Sequence, residues 1–105
     1  MEVIQAAVIG GGSFGTAIAS ILATNGITTR QWMRNEDVAQ SINQHHENPQ
    51  YLPEVVLHSS LEATTDLERA ISGAQLIFVS VPSKSFRSVV HQLKPLLEPG
   101  QCLIS

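Results

Sequence analysis

The chain has 105 residues, 43% of them hydrophobic and 14% charged, and a net charge of −3 at pH 7. This composition describes one small globular domain and excludes a disordered chain. The basic residues are scattered, so no nucleic-acid footprint is visible, and no apolar run reaches the roughly 18 residues that a membrane-spanning helix needs. Residues 3–9 are apolar and partly β-branched and are expected to form the first strand, which leaves no room for a signal peptide before it. Gly10, Gly12 and Gly15 follow at the G-x-G-x-x-G spacing. Phe14, Ala17, Ile18, Ile21, Leu22 and Asn25 recur at helical intervals, and Gly26 stands where a helix would stop, so a helix is predicted over residues 14–25. Residues 28–33 read as a second strand. Asn35 then caps a helix that carries Glu36 and Asp37 in its first turn and runs to about His45.

The segment 48–53 is a loop with two prolines. Of the short segments 55–58 and 61–64, at least one is expected to be a strand. Thr65-Asp66-Leu67-Glu68 has the form of a capping box and predicts a short helix to about Ser72. Residues 75–81, with Leu76, Ile77, Phe78 and Val79 in continuous succession, read as a strand of a parallel sheet covered on both faces. Ser83 or Ser85 is expected to cap the next helix, whose apolar stripe is Phe86, Val89, Val90 and Leu93. Pro95 ends or bends it, Pro99-Gly100 is a turn, and Cys102–Ile104 begins another strand. Cys102 is the single cysteine, which rules out an internal disulfide and fits a reducing, cytoplasmic setting.

This βαβαβ rhythm implies an α/β fold over residues 1–105: a Rossmann-like, doubly wound, mostly parallel sheet with helices on both faces. Ligands of such sheets bind at the carboxyl ends of the strands, where strand order reverses. The loops at 10–15, 33–35 and 82–84 are therefore expected to converge on one crevice. Gly10 permits the tight turn, Gly12 lets a pyrophosphate approach bare backbone, and Gly15 lets the helix pack closely on the strand. The helix start offers unpaired N–H groups and partial positive charge to an anion. These features together read as a dinucleotide site.

An acidic residue is absent from the tip of the second strand, where NAD-specific sites often carry one. Arg34 stands there instead and favours NADPH by its fit to a 2′-phosphate; plain solvation of Arg34 is the alternative. Ser13 offers a hydroxyl and an N–H to the pyrophosphate. Phe14 either points toward the crevice or packs under it. Trp32 reads as a packing residue, and Glu36 and Asp37 as helix N-terminal charge. His45 and His46 are neighbours that cannot share a helix face, and no metal site is expected. Lys84 is read as solvated, with a substrate phosphate as the alternative.

Several motifs together carry a family resemblance. They are residues 7–17, Trp32-Met33-Arg34-Asn35, Glu47-Asn48-Pro49-Gln50-Tyr51-Leu52-Pro53, Ala63-Thr64-Thr65-Asp66-Leu67, Val81-Pro82-Ser83 and Leu93-Lys94-Pro95. In these the chain resembles the N-terminal part of bacterial NAD(P)-dependent glycerol-3-phosphate dehydrogenase, over essentially its whole length. The resemblance implies an enzyme that reduces dihydroxyacetone phosphate to sn-glycerol 3-phosphate with NADH or NADPH for phospholipid synthesis. It also implies a cytoplasmic homodimer with a helical C-terminal domain that these residues do not include. Ser13, Phe14 and Arg34 are implied to contact the cofactor, Tyr51 to line the same pocket, and Pro82-Ser83 to lie near its reacting end. The chain departs from the family at His46, near which an arginine is usual, and at Met33, where glycine is frequent.

The family's catalytic lysines are expected beyond Ser105, so no residue here is assigned a catalytic role. Two alternatives compete. One is a β-hydroxyacid or ketopantoate-type reductase, against which the 48–53 segment argues. The other is a non-catalytic nucleotide-sensing domain.

Overall fold

The computed structural model describes residues 4–105; Val3 of the predicted first strand lies outside that range. The elements are β1 (Gln5–Ile9), α1 (Ser13–Thr24), β2 (Thr28–Trp32), α2 (Glu36–His45), β3 (Glu62–Thr64), α3 (Leu67–Ile71), β4 (Leu76–Val79), α4 (Ser83–Leu93) and β5 (Cys102–Ile104), with a 3-10 turn at Lys94–Leu96 where Pro95 interrupts the helix. The five strands form one sheet of order β3-β2-β1-β4-β5, and every pairing is parallel. The chain works outward from β1 to β3, then returns to the other side of β1 for β4. Strand order thus reverses between β1 and β4. Ile9 pairs in register with Trp32 on one side and Val79 on the other, so these three strands end level and their following loops meet.

Side chains alternate across β1, and each face has its own core. Ala7 and Ile9 join Leu67, Ile71, Val89 and Leu93 beneath α3 and α4, whereas Val8 joins Ala19, Ala23, Ile42 and Leu61 beneath α1 and α2. This is the expected doubly covered sheet. Burying both faces of a five-residue strand is possible because β1 is apolar except at Gln5. β4 is shorter than the predicted strand, and only Ile77 in it is fully buried.

Helix ends show where local chemistry was decisive. Asn35 Oδ1 accepts from the Asp37 and Val38 N–H groups at 2.8 and 3.2 Å, as expected for a cap. Gly26 leaves α1 at φ 83°. Two caps differ from expectation. At α3 the cap is Asp66, whose Oδ1 accepts from Glu68 and Arg69 N–H at 3.0 and 3.3 Å. Thr65 instead donates its hydroxyl to Glu36 Oε2, so the capping-box pattern began one residue early. At α4 neither Ser83 nor Ser85 is the cap: Pro82 occupies that position without a side-chain bond, and Ser83 is already the first helical residue.

The amino ends of the strands are fastened by glutamines. Gln5 N–H donates to Gln75 Oε1, Gln5 Nε2 to Ser72 O, and Gln101 Nε2 to Ile71 O and Ala74 O, all at 2.7–3.0 Å. Asp66→Ala and Asn35→Ala should each lower unfolding free energy by about 1 kcal/mol, and Ser83→Ala by less than about 0.5 kcal/mol. Urea denaturation of the three variants checks this; an equal loss at Ser83 would reinstate it as a cap.

Candidate functional site

Where strand order reverses, the loops after β1, β2 and β4 enclose a crevice of about 310 Å³. Its wall comprises Gly10–Gly12, Trp32–Asn35, Ser80–Pro82 and, from flanking segments, Val38, Tyr51 and Ser85. Of the residues singled out in the sequence, Gly10, Gly12, Arg34, Tyr51 and Pro82 line it. Ser13, Phe14 and Gly15 follow Gly12 in the first turn of α1 and are not part of the wall. Phe14 is 73% exposed, so it neither packs under the turn nor lines the cavity.

The glycines of the turn are held in steric contact. A Cβ on Gly10, which has φ 140°, would collide with the Ser80 carbonyl oxygen. On Gly15 it would stand 2.5 Å from the Gly10 carbonyl oxygen, so the close approach expected of this helix is to the turn itself. Gly11, outside the fingerprint, is as constrained: its Cβ would lie 2.6 Å from Met33 Cβ. Gly12 differs, since a Cβ there meets nothing within 4 Å. Its missing side chain leaves open space rather than relieving contact with the protein.

Hydrogen bonding at the turn is one-sided. Gly10 N–H donates to Trp32 O at 2.8 Å, and Thr16 N–H closes the first helical bond to Gly12 O at 3.0 Å. Between them, the N–H groups of Gly11, Gly12, Ser13, Phe14 and Gly15 have no acceptor among the described residues, and α1 has no side-chain cap. The carbonyls, in contrast, are satisfied from beneath. Gln31 Nε2 donates to Gly10 O at 2.8 Å and to Thr16 Oγ1 at 3.0 Å. Asn48 Nδ2 donates to Gly11 O at 3.1 Å and to the same hydroxyl at 3.0 Å, and Thr16 Oγ1 donates to Gly11 O at 3.4 Å. Thr16, Gln31 and Asn48 are all fully buried.

Sequence reasoning missed this polar cluster. The available signal was an uncharged amide, Gln31, inside a strand expected to be buried, where a polar group needs a partner. The Ser13 hydroxyl is engaged as well: it donates to Tyr51 O at 2.6 Å and ties the 48–52 loop to the helix start.

Among the described residues, Arg34 is the one charged side chain in the wall, and no carboxylate lines it. Arg30, four residues earlier, is paired with Glu62 at 3.3 Å, whereas Arg34 makes no ion pair or hydrogen bond among the described residues. Glu36 and Asp37 lie in the first turn of α2, as expected, and Glu36 is engaged by Thr65. Trp32 is buried and donates Nε1–H to Thr65 O at 2.9 Å, in keeping with a packing role. Lys84 is exposed in the first turn of α4, outside the wall.

Residues 5–105 match the family model for the NAD-dependent glycerol-3-phosphate dehydrogenase N-terminus. The chain belongs to that family. The glycerol-3-phosphate dehydrogenase (NAD(P)+) of Pseudomonas paraeruginosa is 54% identical over 89 residues, covering 83% of this chain and 26% of the relative. That of Teredinibacter turnerae is 45% identical over 102 residues, covering 97% of this chain and 30% of the relative. Among solved structures, the glycerol-3-phosphate dehydrogenase of Coxiella burnetii superposes with a TM-score of 0.88 at 32% identity, over 95% of this chain and 31% of its own. That of Saccharomyces cerevisiae gives 0.92 at 27% identity, over 99% and 33%. The chain thus spans less than a third of the curated glycerol-3-phosphate dehydrogenases it matches.

Gly11→Ala should destabilise the fold by about 1–3 kcal/mol through overpacking. In a Met33→Gly background, which removes the opposing Cβ, the same change should cost at least about 1 kcal/mol less. Urea melts of the single and double variants test this coupling, and additive losses would refute it.

Proposed function

We propose that the crevice seats a nicotinamide dinucleotide, its diphosphate on the unpaired N–H groups from Gly11 to Gly15 and its ribose 2′-phosphate, where present, on Arg34. The observation that carries this reading is the one-sided turn. Among the described residues, five consecutive N–H groups at an uncapped helix start lack acceptors, while the Gly10 and Gly11 carbonyls are bonded beneath. Such a cradle favours an anion through hydrogen bonds and the helix dipole. Open space over Gly12 lets that anion reach the backbone. Among the described residues the wall holds no carboxylate and Arg34 has no partner, which supports acceptance of NADPH as well as NADH. Tyr51 and Pro82 flank the rest of the ligand in this reading, with Pro82 on the β4 side.

When bound, the cofactor supplies a hydride from the nicotinamide ring. The chain's own residues bind and orient it. For the full-length protein, we infer reduction of dihydroxyacetone phosphate to sn-glycerol 3-phosphate, supported by family membership and by the names of the relatives. The motif resemblance extends the reading to a cytoplasmic homodimer that supplies phospholipid synthesis.

Gly12→Val tests the diphosphate seat. Gly12 has φ −76° and ψ −173°, extended backbone that valine adopts, and space for a Cβ, so the variant should stay folded. Its cofactor affinity should fall about tenfold or more, equivalent to about 1.4 kcal/mol. Unchanged affinity in calorimetry would remove the assignment. Arg34→Ala should weaken NADPH by about 1 kcal/mol more than NADH, the lower end of the range because the guanidinium is exposed. Equal losses in parallel titrations would take the 2′-phosphate away from Arg34.

A further inference from the structure

We propose that Gln31, Thr16 and Asn48 are positioning residues for the diphosphate seat: they hold the Gly10 and Gly11 carbonyls inward and thereby aim the next two N–H groups into the crevice. This inference rests on the cofactor reading above and assigns the buried cluster a role in it.

The argument begins with the peptide unit. In a trans peptide the carbonyl of one residue and the N–H of the next point in opposite directions. No cis bond occurs among the described residues. Fixing Gly10 O inward therefore turns the Gly11 N–H outward, and fixing Gly11 O inward does the same for Gly12. Glycine backbone is otherwise the freest in the chain, so this orientation needs an external hold.

The hold is specific in its donor pattern. Gln31 reaches Gly10 O from β2, and Asn48 reaches Gly11 O from the loop after α2. The Thr16 hydroxyl joins them, accepting from both amides and donating to Gly11 O. Three segments distant in sequence thus converge on two consecutive carbonyls. Asn48 Oδ1 in turn accepts from Tyr51 N–H at 3.3 Å, so its amide cannot rotate freely.

Gln31 supplies the second argument. Its side chain is fully buried, and its Oε1 has no partner among the described residues. A buried acceptor left unanswered costs stability; a leucine of similar size would remove that cost but would leave Gly10 O and Thr16 Oγ1 without the Nε2 donor. The amide at position 31 matches the turn in its donor: among the described residues, Gln31 Nε2 is what bonds Gly10 O.

The test uses the full-length protein with Gln31→Leu, Thr16→Val and Thr16→Ser, each first shown to be folded by its melting transition. The probes are NADPH, which carries the diphosphate, and 2′-AMP, which carries the ribose 2′-phosphate and lacks the diphosphate. Gln31→Leu and Thr16→Val should each weaken NADPH about three- to tenfold and leave 2′-AMP within about twofold, the range expected when about one backbone N–H bond to the diphosphate is misaimed. Thr16→Ser keeps the hydroxyl and should match the wild type for both probes.

Unchanged NADPH affinity in Gln31→Leu and Thr16→Val, or equal losses for both probes, overturns the proposal. If Thr16→Val does not fold, the Gln31→Leu comparison decides alone. A wild-type protein that does not bind NADPH overturns the cofactor reading itself, an outcome separate from any behaviour of the variants.

Discussion

The structure depends on a place where the backbone touches itself with no room for a side chain. At the first βα corner, Gly10 lies against the carbonyl that follows β4, Gly11 against the side chain that follows β2, and Gly15 against the carbonyl of Gly10. Three strands and one helix are brought together at these contacts. Their closeness lets β1, β2 and β4 end level and places the reversal of strand order directly beside the turn. A single methyl group at any of the three positions would wedge the corner open. Gly12, by contrast, is free of such contacts and faces open space.

Polar and apolar forces divide the work around this corner. Two apolar cores, one on each face, hold the layers together. Neither can dictate the direction of a particular peptide plane, because burial is not directional. A seam of neutral side-chain amides and one hydroxyl runs between the layers and supplies that direction. The helices show the same division. α2 and α3 carry side-chain caps that close their first turns, whereas α1 and α4 have none; the starts of α1, α2 and α4 all flank the crevice.

What the sequence made legible follows from the range of the interactions involved. The order of strands and helices was readable because hydrophobic periodicity and turn residues act within a few positions. Asn35 and Gly26 were readable for the same reason. The α3 cap was misplaced by one residue because Thr65 and Asp66 are both competent, and Thr65 is drawn away by Glu36 from another helix. Segment 55–58 stayed ambiguous and proved irregular: Leu57 is buried, but Val56 is 85% exposed and the backbone bonds to His46 instead of a strand. At the site, the glycine spacing and Arg34 were visible from local position. The partners of Gln31, Asn48 and Ser13 were not, since those bonds span 15 to 38 residues and nothing in a linear pattern says which carbonyl an amide will meet.

The opposite rim of the sheet is fastened in an unusual currency. Gln5, Gln75 and Gln101 tie the amino ends of the strands through uncharged amides, and among the described residues the ion pairs gather at Glu62, with Arg30 and Arg69. Amides do not ionise across the accessible range of acidity, and mobile ions do not screen them. Among the described residues, Glu98, which accepts from Gly73 N–H and Gln101 Nε2, and Arg30, which donates to Ser72 O, are the charged members of this rim, so salt reaches the floor of the domain through those two groups and leaves the amide bonds between them untouched.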